Sequence, residues 1–207
     1  MTYAPTATGL QSDTIEIAYF DGAGNQTALR GIQGTGAAPA SLTLSDGPTY
    51  SFGTIASGGL SEKSFTLTNG GGVQATAVSG SGLAAPYSFK GGSYPGTGGT
   101  CTSSLGAGLS CTMVVVYNPS VIGTQTDTIE IAYNDGVAVQ AADRDLTGTA
   151  VAPATITISD GATFSFGTLA NGATAEKTFT LNNGGAVTAT AMTGSGLAAP
   201  FTFKGGT

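Results

Sequence analysis

The sequence has 207 residues, long enough for one or two domains, with 34 Gly, 40% hydrophobic and only 9% charged residues. Disordered chains combine high charge with low hydrophobicity, so this composition points to a folded chain, and Gly clustered between short apolar runs points to turns in an all-β protein. A net charge of −6 without any Lys/Arg cluster argues against a nucleic-acid partner, and no apolar run approaches the ~18–20 residues of a membrane span. In chain order, the segment from Ser12 to Tyr19 reads as a strand that ends in the turn Asp21-Gly22. Further strands are predicted near 41–45, 49–53, 61–69, 73–79, 86–90, 110–118, 126–133 and 143–149. The basis is a period of two: Phe65 and Leu67 alternate with Ser64, Thr66 and Thr68, and Ile129, Ile131 and Tyr133 alternate with Thr128, Glu130 and Ala132. No stretch reads as a helix of more than one turn. Seven or eight short strands in about 110 residues predict a two-sheet sandwich.

The chain repeats itself. Residues 1–93 align without gaps on residues 115–207, a period of 114, with about 55 of 93 positions identical. "SDTIEIAYFDG" from Ser12 matches "TDTIEIAYNDG" from Thr126, and "GSGLAAPYSFKGG" from Gly80 matches "GSGLAAPFTFKGG" from Gly194. Pro39 and Pro153 stand where a joint between domains favours a stiff residue without a donor. The expected organisation is a complete repeat over 38–152, the tail of a preceding one over 1–37 and the front of a following one over 153–207. Because half-sandwiches expose an apolar face and open edges, strands near 12–19 and 176–182 are expected to pair with chain outside this copy, through adjacent repeats or head-to-tail neighbours.

"SFGTIASGGLSEKSFTLTNGGG", the cysteine pair in "GTCTSSLGAGLSCTMVVVYNP", then "GTQTDTIEIAY" and "LTGTA" resemble the bacterial choice-of-anchor D repeats, relatives of the ASPM/SPD-2/Hydin group of immunoglobulin-like domains. The resemblance runs through Phe52-Gly53, Asn69-Gly70, Cys101, Cys111 and Tyr117-Asn118-Pro119. It implies tandem immunoglobulin-like sandwiches in large bacterial surface or secreted proteins.

Cys101 and Cys111 bracket nine Gly- and Ser-rich residues. A chain without His offers two thiolates few companions for a four-ligand zinc site, so a disulfide is expected, with free thiols as the alternative. A disulfide implies an oxidising compartment. Catalysis is set aside on inventory. There is no His to activate a Ser or Cys, and the carboxylate pairs Glu16/Asp21 and Glu130/Asp135 read as solvated surface charge. Asp46, Asp160, Asp135, Asp143 and Asp145 are candidate calcium ligands, but Asp-Gly turn chemistry accounts for them without metal. Lys63 and Asn69, the tempting isopeptide pair, lie some six residues apart on one strand and cannot meet; Lys90 has no marked partner. Tyr50, Tyr87, Tyr94 and Phe20 could form an aromatic platform, although strand aromatics more often fill cores. The expectation is a structural repeat without catalytic, metal or cofactor residues, extracellular or on the cell surface, forming a stalk or filament. The alternative is a ligand-binding adhesin module, in which "AGNQTALRGIQ" against "VAVQAADRDLT", the most divergent segment, would carry the contacts.

Overall fold

The computed structural model describes residues 1–205, and among them there are only strands and no helix. Strands β1 (Gly9–Phe20) and β2 (Asn25–Gly36) form a hairpin by themselves. Then follow β3 (Leu42–Leu44), β4 (Thr49–Ala56), β5 (Ser61–Asn69), β6 (Ala75–Ser81), β7 (Tyr87–Phe89), β8 (Ser104–Leu105), β9 (Ser110–Tyr117), β10 (Gly123–Asn134) and β11 (Val139–Val151). These nine form two sheets, β3-β5-β9-β7 and β4-β11-β10-β6-β8. The first has the A-B-E-D order and the second the G-F-C order of an immunoglobulin-type sandwich, with β4 added parallel to β11.

The alternation seen in the sequence is the alternation of burial. Phe65, Leu67, Met113, Val115, Ile129 and Ile131 are fully enclosed between the sheets, while Glu62 and Glu130 face outward. Each such side chain contributes about 1.5–3 kcal/mol relative to exposure. Tyr87 stacks on Tyr117 with ring centroids 4.8 Å apart, and Phe52 lies 5.7 and 5.6 Å from them. One chain segment joins both layers: β3 pairs with β5, and after Ser45-Asp46-Gly47 the chain crosses to the other sheet as β4. Asp46 takes φ 62° there, a left-handed conformation that Asp tolerates better than most residues. Beneath the crossing lies Arg144 of β11, only 9% exposed. Its Nε donates to the Ser45 carbonyl at 2.9 Å and its terminal nitrogen to that of Leu44. Gly47 has no room for a Cβ because the guanidinium occupies that space.

Several expectations need correction. The expected strands lacked β8, and β10 and β11 are longer than 126–133 and 143–149. The segment 12–19 pairs within the chain, as part of β1, with β2. Residues 176–180 form no strand; only β13 (Leu181–Asn183) pairs, with β12 (Ile156–Ile158). Among the described residues the other strand-like segments of 159–205 form no ladder.

Candidate interaction surface

Most of the candidate side chains of the sequence are engaged by the fold, whereas Glu16, Glu130, Asp143 and Phe20 are exposed. Asp135, expected in solvent, is 6% exposed. Its Oδ1 accepts the amides of Val137 and Ala138, both at 2.7 Å, and Oδ2 accepts Gln140 Nε2 at 3.1 Å. The two backbone amides, the Ala138 amide foremost, hold its carboxyl below the usual range. Asp46 binds Lys63 Nζ at 2.7 Å and Ser45 Oγ at 2.5 Å, and the lysine lowers its pKa. Asp145 accepts from Thr128 Oγ1 at 2.9 Å, and Asp143 is exposed. Among the described residues no three His, Cys, Asp or Glu side chains come together as metal ligands. Lys90 meets Glu62 at 2.7 Å. Asn69 is fully buried: its Oδ1 accepts the Ser41 and Gly71 amides, and its Nδ2 donates to the Val73 and Leu105 carbonyls.

The aromatic residues do not form a platform. Tyr87 is a core residue, Tyr50 packs edge-on against Phe52 and Phe65, and Tyr94 lies edge-on to Phe89. Burial pushes the Tyr94 phenol up to about 12. Phe20 is 65% exposed, as its turn position suggested. Cys101 and Cys111 are disulfide-bonded and tie the segment after β7 to the start of β9.

What remains open is a surface rather than a pocket. The hairpin β1–β2 pairs Gly9 with Gly36 through Phe20 with Asn25, and β10–β11 pairs Gly123 with Ala150 through Asn134 with Val139, the same register 114 residues on. In β10–β11 the inward residues Ile129, Ile131, Tyr133, Ala142, Arg144 and Leu146 are buried. Their counterparts Ile15, Ile17, Tyr19, Ala28, Arg30 and Ile32 are the same residues apart from Ile for Leu, yet Ile17 is 58% and Tyr19 51% exposed. β10 pairs with β6 and β11 with β4, whereas among the described residues β1 and β2 pair only with each other. Phe164, Phe179, Leu181, Phe201 and Phe203 of the last third of the chain are exposed as well.

Contacts internal to each part recur at the 114-residue offset. Lys177 binds Asp160 at 2.6 Å as Lys63 binds Asp46 at 2.7 Å. Lys204 binds Glu176 as Lys90 binds Glu62, both at 2.7 Å. Asn183 takes the amides of Thr155 and Gly185 and donates to the Val187 carbonyl, as Asn69 does with Ser41, Gly71 and Val73. Tyr3 donates to Gln11 Oε1 at 2.9 Å and Tyr117 to Gln125 Oε1 at 2.5 Å. Sequence reasoning missed Arg144 and Asn69 as structural nodes. The available signal was that both recur at the period, as Arg30 and Asn183, in a chain with only six cations.

No family model matches the chain, and no curated protein does. Solved structures similar to it include the VesB protease of Vibrio cholerae, with 17% identity and a TM-score of 0.43 over 54% of this chain and 32% of that one. The PapD-like domain 7 (an ASH domain) of human CEP192 is similar at 16% identity and a TM-score of 0.41, over 56% of this chain and 88% of that one. The secreted serine protease VesC of Vibrio cholerae has 17% identity and a TM-score of 0.35, over 49% of this chain and 21% of that one. The chain thus spans about a third or less of the two proteases. The exclusion of enzymatic activity is therefore withdrawn: it rested on the residue inventory of this chain, and chains similar to it include proteases whose length it covers only in part. The fold assignment rests on the strand order described above, and among the described residues no helix is long and apolar enough to cross a membrane.

Proposed function

We propose that the chain is a structural module of a large extracellular or cell-surface bacterial protein, in which 114-residue immunoglobulin-like sandwiches follow one another as a stalk or filament. In this reading residues 38–152 are one complete unit, and 1–37 and 153–207 belong to its neighbours. The observation that carries it is the recurrence, at the 114-residue offset, of hairpin register, ion pairs and side-chain hydrogen bonds. A stalk also needs stiff joints, and the connections are short and tethered. β11 ends at Val151 and β12 begins at Ile156. The Ala152 carbonyl accepts the Ala186 amide at 3.1 Å, as the Ala38 carbonyl accepts the Gly72 amide at 3.0 Å. Each unit thereby holds its own incoming linker. The disulfide supports an oxidising compartment.

The test is length. Chains lengthened by one, two and three copies of residues 38–152 are compared by small-angle scattering. Strands of 12 residues, such as β10, give roughly 40 Å of added maximum dimension per copy if they run along the stalk. A maximum dimension that stays nearly constant as copies are added would contradict the stalk.

A further inference from the structure

We propose that the unit 38–152 carries tension, and that its resistance is set where its entering and leaving strands meet: the parallel ladder of β4 with β11, pinned by Arg144. The proposal rests on the stalk reading above and adds that the stalk is loaded along its length.

A unit within a continuous chain is pulled at the two points where the chain enters and leaves it. The chain enters at Ala40, whose amide donates to the Asp135 carbonyl at 2.9 Å, in the turn that precedes β11. It leaves at Val151, the last residue of β11. Entry and exit thus lie at opposite ends of β11, whose 13 residues span roughly 40 Å. After the crossing at Ser45-Asp46-Gly47 the entering chain runs as β4 beside β11 and in the same direction, from Thr49 opposite Asp145 to Ala56 opposite Val151. Tension draws the entering chain back and the leaving chain forward, so β4 and β11 are made to slide along each other. The bonds of such a ladder are loaded together, whereas strands peeled from one end yield one bond at a time.

The ladder lies directly between the two loaded ends. On its other side β11 is held by β10 along nearly its whole length, from Asn134 opposite Val139 to Gly123 opposite Ala150. β4 holds it only from Asp145 to Val151, with an irregularity between Thr147 and Thr149. β3 pairs with β5 over Leu42–Leu44 alone. Once β3 comes away, the load falls on the start of β4 and still acts along the ladder. Arg144 sits at that point. It belongs to β11, it is buried, and its guanidinium holds the carbonyls of Leu44 and Ser45 on the entering chain. The side chain therefore bridges the two loaded strands just ahead of their first pair. Hydrogen bonds from a charged donor are stronger than neutral ones, and burial keeps out the water that would replace them. Tyr133 Oη, which accepts the Leu42 amide at 3.2 Å, adds a second tie near the entry.

Single-molecule stretching of the chain lengthened by three copies of residues 38–152 tests it. The rupture of one unit is recognised by a gain of about 360 Å in length after reduction and about 320 Å before it, because the bond between Cys101 and Cys111, 10 residues apart, keeps that loop closed. Forced rupture reports the unfolding rate. Arg144→Ala in every complete unit is expected to raise that rate at a given force by about tenfold or more, the factor for one lost hydrogen bond from a charged group. The direction of pulling is the second measurement. The chain of 207 residues is held at its first residue and at Val137→Cys, an exposed position in the turn before β11. Both loads then act at the entry end, the ladder is peeled from its start, and the unit is expected to yield at several-fold lower force. This comparison leaves β4, β11 and Arg144 unchanged, so it decides alone if Arg144→Ala does not fold. Equal forces in the two directions, or a folded Arg144→Ala array that ruptures like the parent, would overturn the proposal. Scattering from the lengthened chains does not depend on rupture force, so the stalk reading can hold where this one fails.

Discussion

Asn69 and Asp135 organise more of the sandwich than their size suggests. Asn69 sits at the end of β5 and satisfies four backbone groups from the linker, the following turn and the β8 segment. Removing a buried amide with such partners strands them without water, at about 1–3 kcal/mol for each poorly compensated group. Asn69→Ala is expected to cost about 3 kcal/mol in urea unfolding, whereas Asn183→Ala, at an exposed counterpart, should stay within about 0.5 kcal/mol. Equal costs would contradict the distinction drawn between the buried and the exposed asparagine. Asp135 has a pKa below its ordinary 3.8 because backbone amides hold the ionised form. A group depressed in the folded state adds stability that is full above its unfolded pKa and is lost as pH falls through the folded value. The stability difference between the parent and Asp135→Asn should therefore be largest above pH 3.8 and shrink below it. A difference that is constant from pH 6 to pH 2 would contradict this account. Neither role was read from the sequence, where Asp135 read as solvated charge and Asn69 as half of an unlikely covalent pair, although Asn69 recurs at the period as Asn183. Burial depends on which loop folds over a residue, and period-two alternation does not report that.

At the scale of elements, strands with strong alternation were legible and short ones were not. β5 was placed to the residue, because Phe65 and Leu67 face the core between Thr and Ser neighbours. β8 is only Ser104–Leu105, too short for any period to register. The passage of the chain from β3 to β4 across the two sheets was invisible as well, since it depends on Arg144, 100 residues downstream of Leu44. The disulfide lies beside β8, and its pairing was legible from inventory. It closes a short loop that is also held by Thr100 and Cys101 amides donating to the Thr112 carbonyl at 2.8 and 3.1 Å. Replacing both cysteines by Ser is expected to lower stability by about 2–3 kcal/mol and to leave the unit folded, with its β-type circular dichroism intact. Loss of the folded signal at 25 °C would mean that these hydrogen bonds do not hold the loop without the covalent clip.

For the whole molecule, the period was the most legible feature and the state of the flanks the least. Fifty-five identities in 93 positions tell that the same contacts are encoded twice. They do not tell which of those contacts form in each part of the chain. The structure divides them physically. Contacts such as Lys63 with Asp46 and Asn69 with the Ser41 amide recur 114 residues on, whereas those of Arg144 with the Leu44 and Ser45 carbonyls have no counterpart among the described residues. The central claim, that residues 153–205 are the front of a sandwich of the same kind, is tested most directly by supplying the missing part. The chain is extended after Thr207 with a copy of residues 94–152, and amide hydrogen exchange is measured. The account predicts that amides in 163–170 and 189–195, unladdered in the chain of 207 residues, become protected to the level of β4 and β6. Exchange in those segments as fast as in the unextended chain would contradict it.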